Sequence, residues 1–215
     1  MQRFLLVAIS AFALLLSACS TPEPPTVNLY RAVHVGDIDQ IERNLYWDAD
    51  VNAPGPDGRS ALHVAAEKGR VVVIKILLKN GAAIDQLDAA GQTPLGTALL
   101  ARRTLAAAYL AKQGGSLDAN NLLLQTAAAD SLDRDVLDFL IKQGADINTA
   151  DDKGNNALHI AASKDQRIAA KHLITGGIDL NAVNATGQTP LGIAQQSGAK
   201  DIADMLKKFG VVTPP

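Results

Sequence analysis

Cysteine is nearly missing from this chain: one residue, Cys19, among 215. A single thiol cannot close an internal disulfide, so the fold must be held by packing alone. An excess of one charge sign is missing as well. Twenty basic and 22 acidic side chains leave a formal charge of −2, which gives no electrostatic case for nucleic acid or an anionic membrane as partner. No apolar run is long enough to cross a bilayer. The run at residues 4–16 has 13 residues, where a spanning helix needs about 20. Catalytic signatures are absent too: no Gly-x-Ser-x-Gly, no phosphate-cradling loop, no His-Glu-x-x-His and no free cysteine to act as nucleophile. The chain is therefore expected to be no enzyme and to need no cofactor.

What is present is a period. An aliphatic residue followed by Asp or Asn recurs as Val51-Asn52, Ile84-Asp85, Leu117-Asp118, Ile147-Asn148 and Leu180-Asn181, at steps of 33, 33, 30 and 33 residues. Periods of this size signal stacked repeats. Gly58, Gly91, Gly154 and Gly187 mark a turn in each period, and Gly81, Gly114, Gly144 and Gly177 mark the end of a second helix. Between them lie two helical apolar patterns. In the second repeat these are Ala61, Leu62, Ala65 and Ala66, then Val72, Val73, Ile76 and Leu77, each the spacing of one buried face. One helix pair cannot bury its own face, so the array must fold through contacts between neighbours.

Thr93-Pro94-Leu95 and Thr189-Pro190-Leu191 follow Gly-Gln, while Ala61-Leu62-His63 and Ala157-Leu158-His159 fill the same slot elsewhere. With the closing run Gly144-Ala145-Asp146-Ile147-Asn148, these motifs resemble ankyrin repeats over residues 27–210. The resemblance implies an all-α solenoid of about six helix-turn-helix repeats with projecting β-turn fingers. It also implies a binding role toward proteins. A longer period of 96 residues relates Gly58 to Gly154 and Gly91 to Gly187, as expected of a duplicated three-repeat unit. Repeat four is three residues short between Asp118 and Leu122, which predicts a truncated finger and a notch in the row of turns. Both ends carry polar residues, as capping repeats require.

The N-terminus reads as a separate signal. Arg3, the apolar run and Leu16-Ser17-Ala18-Cys19 fit a secretory signal segment and resemble the lipobox of bacterial lipoproteins. That resemblance implies removal of residues 1–18 and lipidation of Cys19. It leaves 197 residues and a charge of −3, since Arg3 is the one charged residue lost. Residues 20–26 are polar and proline-rich and are expected not to pack. Extended, they span about 22 Å at roughly 3.1 Å per residue. Ser20 after the cysteine implies anchoring to the outer membrane, facing the periplasm. The expected partner is an envelope or periplasmic protein, bound by a monomer.

Binding residues carry over from the resemblance as turn tips and exposed ends of the first helices. In repeat two these are Asp57, Arg59, Glu67 and Lys68, and in repeat three Ala89, Ala90, Gln92, Leu100 and Ala101. Repeat five supplies Asp152, Lys153, Asn155, Ser163 and Lys164, and repeat six Thr186, Gln188, Gln196 and Ser197. Tyr46 and Trp47 stand where repeat two has Lys79 and Asn80. Exposed aromatic pairs are favoured interface anchors; packing under the proline linker or against the next turn is the alternative, and the membrane a third.

His63 and His159 occupy the slot where the family's histidine bonds backbone near the turn. His34 and His172 have no partner at metal-ligand spacing. Asp48-x-Asp50-x-Asn52 and Asp146-x-Asn148 open like calcium loops, but Ala53 or Asp151 stands where glycine is needed, and Arg59 or Ala157 where glutamate is. Turn chemistry accounts for these acids better.

Overall fold

The computed structural model describes residues 21–211; the expected signal segment and Cys19 lie outside the described residues. Among the described residues twelve α-helices form six antiparallel pairs: α1 (Leu29–Val35) with α2 (Ile38–Tyr46), α3 (Ala61–Glu67) with α4 (Val71–Lys79), α5 (Pro94–Leu100) with α6 (Thr104–Lys112), α7 (Ala119–Ala128) with α8 (Arg134–Lys142), α9 (Ala157–Ser163) with α10 (Arg167–Thr175), and α11 (Pro190–Ser197) with α12 (Lys200–Lys208). Odd-numbered helices stack in one row and even-numbered helices in a second. This is the all-α solenoid expected.

The recurring motifs are two ways of starting the first helix. Thr93 and Thr189 are N-caps that accept from Gly96 and Gly192 N–H at 3.2 Å, with Pro94 and Pro190 opening the helix where no N–H is required. Ser60 and Asn156 close a capping box with the histidine three residues on, whose Nδ1 accepts from the cap N–H at 3.3 Å. Alanine then keeps the first row tight. Ala61, Ala65, Ala98, Ala161 and Ala194 are all buried against neighbouring repeats. The second stripe of repeat two sits one residue away from the expected position: Val73, Ile74 and Leu77 are buried, Val72 is exposed and Ile76 half-buried. Helix α4 begins at Val71, which turns Val72 outward.

The Asp or Asn of the 33-residue signal is a clamp between repeats. Asn52 Oδ1 accepts from Ala83 N–H at 2.7 Å, Asp85 Oδ1 from Ser116 at 2.7 Å and Asn148 Oδ1 from Asp179 at 2.8 Å. In repeat four Asp118 caps α7 instead, and Asn120 accepts from Asp146 N–H at 2.8 Å. Each bond satisfies a loop N–H of the next repeat, so the polar half of the motif sets the register while its aliphatic neighbour packs on the core. Asp50 and Asp146 accept from Asn52 and Asn148 N–H at 2.9 Å within their own turns, as the turn reading expected.

Four fingers share one turn. Asp88, Asp151 and Asn184 N–H donate to Gln92, Asn155 and Gln188 carbonyls at 3.0 Å, and Gly55 to Arg59 at 2.8 Å. The turn residue Gly154 has φ 74°, and a Cβ there would meet Ala185 N at 2.9 Å, so finger five can lie flat on finger six only with glycine. Repeat four has no finger. Helix α7 starts directly after Asp118 and runs 10 residues, against seven for α5. The gap forms a pocket of mixed lining, with Gln92, Asp118, Asn121 and Gln125 beside Leu117 and Leu122.

The proline-rich segment packs, contrary to expectation. Trp47 indole N–H donates to Pro22 O at 3.2 Å, Arg43 pairs with Glu23 at 3.1 Å, and Thr26 N–H donates to Gln40 Oε1 at 2.8 Å. These side chains sit along one face of α2, which no other repeat among the described residues covers.

Candidate binding groove

The surface between the fingers and the first-row helices differs from repeat to repeat, and the difference starts at two register positions. Residue 59 of the finger stem faces residue 67 at the helix end. In repeat two Arg59 spans this gap, pairing with Glu67 at 3.1 Å and with Asp57 at 2.7 Å. In repeat six Gln188 Nε2 donates to Gln196 Oε1 at 2.7 Å across the same gap. In repeat five the two positions are Asn155 and Ser163, and neither reaches the other. Asn155 turns back to Asp151 and accepts from Asn184 at 2.9 Å, while Ser163 donates to Ile160 O at 2.8 Å.

The result is a groove of about 570 Å³ between repeats five and six. Its floor includes Ile160 and Ile193, and its walls Asp152, Lys153, Asn155, Ser163, Thr186, Gln188, Gln196 and Ser197. Val64, in register with both isoleucines, is fully buried. Ile160, in the repeat whose gap is left unspanned, is only half-buried, and Ile193 is half-buried as well although Gln188 and Gln196 meet in its repeat. The walls are fixed in advance: Ala185 N–H donates to Lys153 O at 2.9 Å, and Ser197 Oγ donates to Ala162 O at 3.0 Å. A rigid, partly apolar cleft with fixed polar groups is suited to binding, because little ordering cost remains.

Of the expected residues, those of repeats five and six converge here, except Lys164. Its ammonium donates to Ala128 O at 2.7 Å and caps α7. Asp57, Arg59 and Glu67 form a chain with Tyr30, whose hydroxyl donates to Asp57 at 2.6 Å. The Tyr30 bond, aided by Arg59, outweighs burial and holds the Asp57 carboxyl down at about 2. Lys68 is exposed at the end of α3, Gln92 lines the notch, and Leu100 is half-buried with its carbonyl accepting from Ser131. Ala89 and Ala90 are exposed at the third finger tip and Ala101 is half-buried. Tyr46 and Trp47 are about half exposed at the N-terminal cap, apart from the groove, with rings edge to face at 6.1 Å. Ile160 and Ile193 were not among the expected residues; their register with Val64 reads as core, and only the short Asn155 and Ser163 hint otherwise.

His159 forms part of the floor. Burial lowers its pKa, with the Gln188 carbonyl at 3.0 Å from Nε2 working in the opposite direction. The folded-state value lies below the 6.5 of an unfolded chain, so the unfolded state takes up the proton first. Stability is complete above pH 6.5 and falls as pH drops toward the lowered value, with a slope of at most about 1.4 kcal/mol per pH unit. Thermal melts between pH 7.5 and 5.5 are expected to show this loss, and His159→Gln to flatten it. Equal slopes in both proteins would assign the loss elsewhere.

The family description "Ankyrin repeats (3 copies)" matches residues 29–121 and 124–212. This chain belongs to the ankyrin-repeat family. It is a protein–protein interaction module, and the match carries no catalytic assignment. Among curated relatives, the L-asparaginase of Dirofilaria immitis is 28% identical over 81% of this chain and 30% of its own length. The chain spans 30% or less of the curated relatives it matches first. Among solved structures, the human ASB11 ankyrin repeat domain is 20% identical with a TM-score of 0.73, covering 88% of this chain and 86% of that one, a likeness of fold. A chain from the complex of a predatory endopeptidase of Bdellovibrio bacteriovorus with an immunity protein is 25% identical. Its TM-score is 0.70, over 86% of this chain and 98% of that one.

Proposed function

We propose that this ankyrin array is tethered through a lipidated Cys19 to the periplasmic side of the outer membrane and captures an envelope or periplasmic protein in the groove between repeats five and six. The groove carries the reading: it is the place where the first-row surface opens to an apolar floor between polar walls already held by backbone contacts. The lipobox-like Leu16-Ser17-Ala18-Cys19 supports the tether, and firm anchoring by acyl chains requires more than one of them. The array then acts as a scaffold that fixes where its partner resides.

A second use, inhibition of a toxin or periplasmic enzyme, is favoured by one observation. The similarity to a chain of the endopeptidase–immunity protein complex extends over 98% of that chain, so the whole array rather than a few repeats is alike. Crosslinking in intact cells, followed by pull-down and mass spectrometry, tests the common reading: one dominant envelope partner is expected, lost with Cys19→Ser. Recovery of an equal partner set by a chain with Ile160→Asp and Ile193→Asp would count against the groove. Assaying the recovered partner with and without the array separates the two uses, since a scaffold leaves its activity unchanged.

A further inference from the structure

The segment that packs on α2 places the aromatic pair beside the tether. Trp47 N–H is bonded to Pro22 O at 3.2 Å, and Cys19 is only three residues upstream of Pro22. Three residues extend at most about 11 Å. The indole therefore lies within roughly 15 Å of the acylated position, comparable with the few ångströms of headgroup layer plus a short reach beyond it.

The pair is also out of pattern. In the same register the second-row helices of repeats two to five end in Lys79-Asn80, Lys112-Gln113, Lys142-Gln143 and Thr175-Gly176, and that of repeat six in Lys208-Phe209. A single aromatic, Phe209, stands at the far end, 56% exposed, while the repeat at the tether end puts two there, Tyr46 and Trp47, 54% and 49% exposed. Trp and Tyr favour the bilayer interface because each joins an apolar body to a polar tip. Charge gives no competing explanation. Arg43, the basic residue on this face, is already paired with Glu23 at 3.1 Å and Asp39 at 2.8 Å, and Glu42 and Asp48 are acidic.

We propose that Tyr46 and Trp47 rest in the interfacial layer of the bilayer that holds Cys19, making a second membrane contact that fixes the orientation of the array. This rests on the lipidated-anchor reading above. The contact is aromatic rather than ionic, so it does not depend on anionic lipid.

Trp47 is the only tryptophan of the chain and reports on itself. The lipidated full-length protein is reconstituted into phosphatidylcholine vesicles carrying bromine on the acyl chains. Trp47 emission is expected to shift blue and to be quenched by the brominated lipid, and its quenching by acrylamide to fall by about two-fold relative to soluble Cys19→Ser, as interfacial burial requires. Adding phosphatidylglycerol or salt is expected to change none of these. Protein that floats with the vesicles while Trp47 stays accessible and unquenched overturns the contact and leaves the anchor standing. Protein that does not float, with Cys19 of unmodified mass, removes the anchor and the contact with it. A blue shift that comes only on adding the captured partner assigns the pair to the protein interface and overturns the proposal.

Discussion

Asn155→Arg combined with Ser163→Glu is expected to close the groove and cut partner affinity at least ten-fold, which corresponds to about 1.4 kcal/mol. The pair rebuilds in repeat five what repeat two already has, since Arg59 and Glu67 meet across the same two positions at 3.1 Å. A lid there covers Ile160 and denies a partner the apolar floor. Folding should change little. Asn155 gives up its bonds to Asp151 and Asn184, and the new ion pair at a solvated surface contributes only about 0–1 kcal/mol in return. Titration of the recovered partner against both proteins, with thermal melts alongside, decides the matter. Undiminished binding by a normally folded double variant would falsify the groove as the binding site.

Leu123→Ala is expected to cost about 2–5 kcal/mol and to divide one unfolding transition into two. Leu123 is fully buried in α7, and the two family matches end at residue 121 and resume at 124, on either side of it. Stacked repeats are stabilised by their own helices plus nearest-neighbour faces. The seam between α5 and α7 is thinner than those between α3 and α5 or α9 and α11. Weakening α7 should let the halves unfold separately. In urea, Trp47 fluorescence reports the first half and far-ultraviolet circular dichroism the whole chain; their midpoints coincide in the natural protein and separate in the variant. Coincident midpoints in both would show that coupling across the seam survives.

Much of this architecture could be read directly from residue spacing. The recurrence of Asn52, Asp85 and Asn148 located the repeats because each of these side chains holds the next repeat, so the bond itself imposes the period. Gly91 and Gly187 were legible because a left-handed turn admits few other residues. The missing finger followed from a three-residue deficit. The stripe on α4 was off by one residue because its phase depends on where the helix begins, and no N-cap side chain marks Arg70 as that point.

The surface was less legible. Asp57, Arg59 and Glu67 look like free contact residues in a one-dimensional reading, yet they satisfy one another and Tyr30. Lys164 looks like a binding cation and is a helix cap. The linker looks too polar to pack, but the exposed face of a terminal helix supplies partners that no internal repeat would have free.

The sequence alone determined the repeat length, the helix pairs, the turn positions and the odd fourth unit, because those follow from local caps and from neighbours a fixed number of residues apart. Tertiary structure decided which polar residues are spent on each other, where the groove opens and what the aromatic pair lies beside. Such contacts depend on side-chain reach across a gap between separate elements, and a distance of that kind is set only once the helices are stacked.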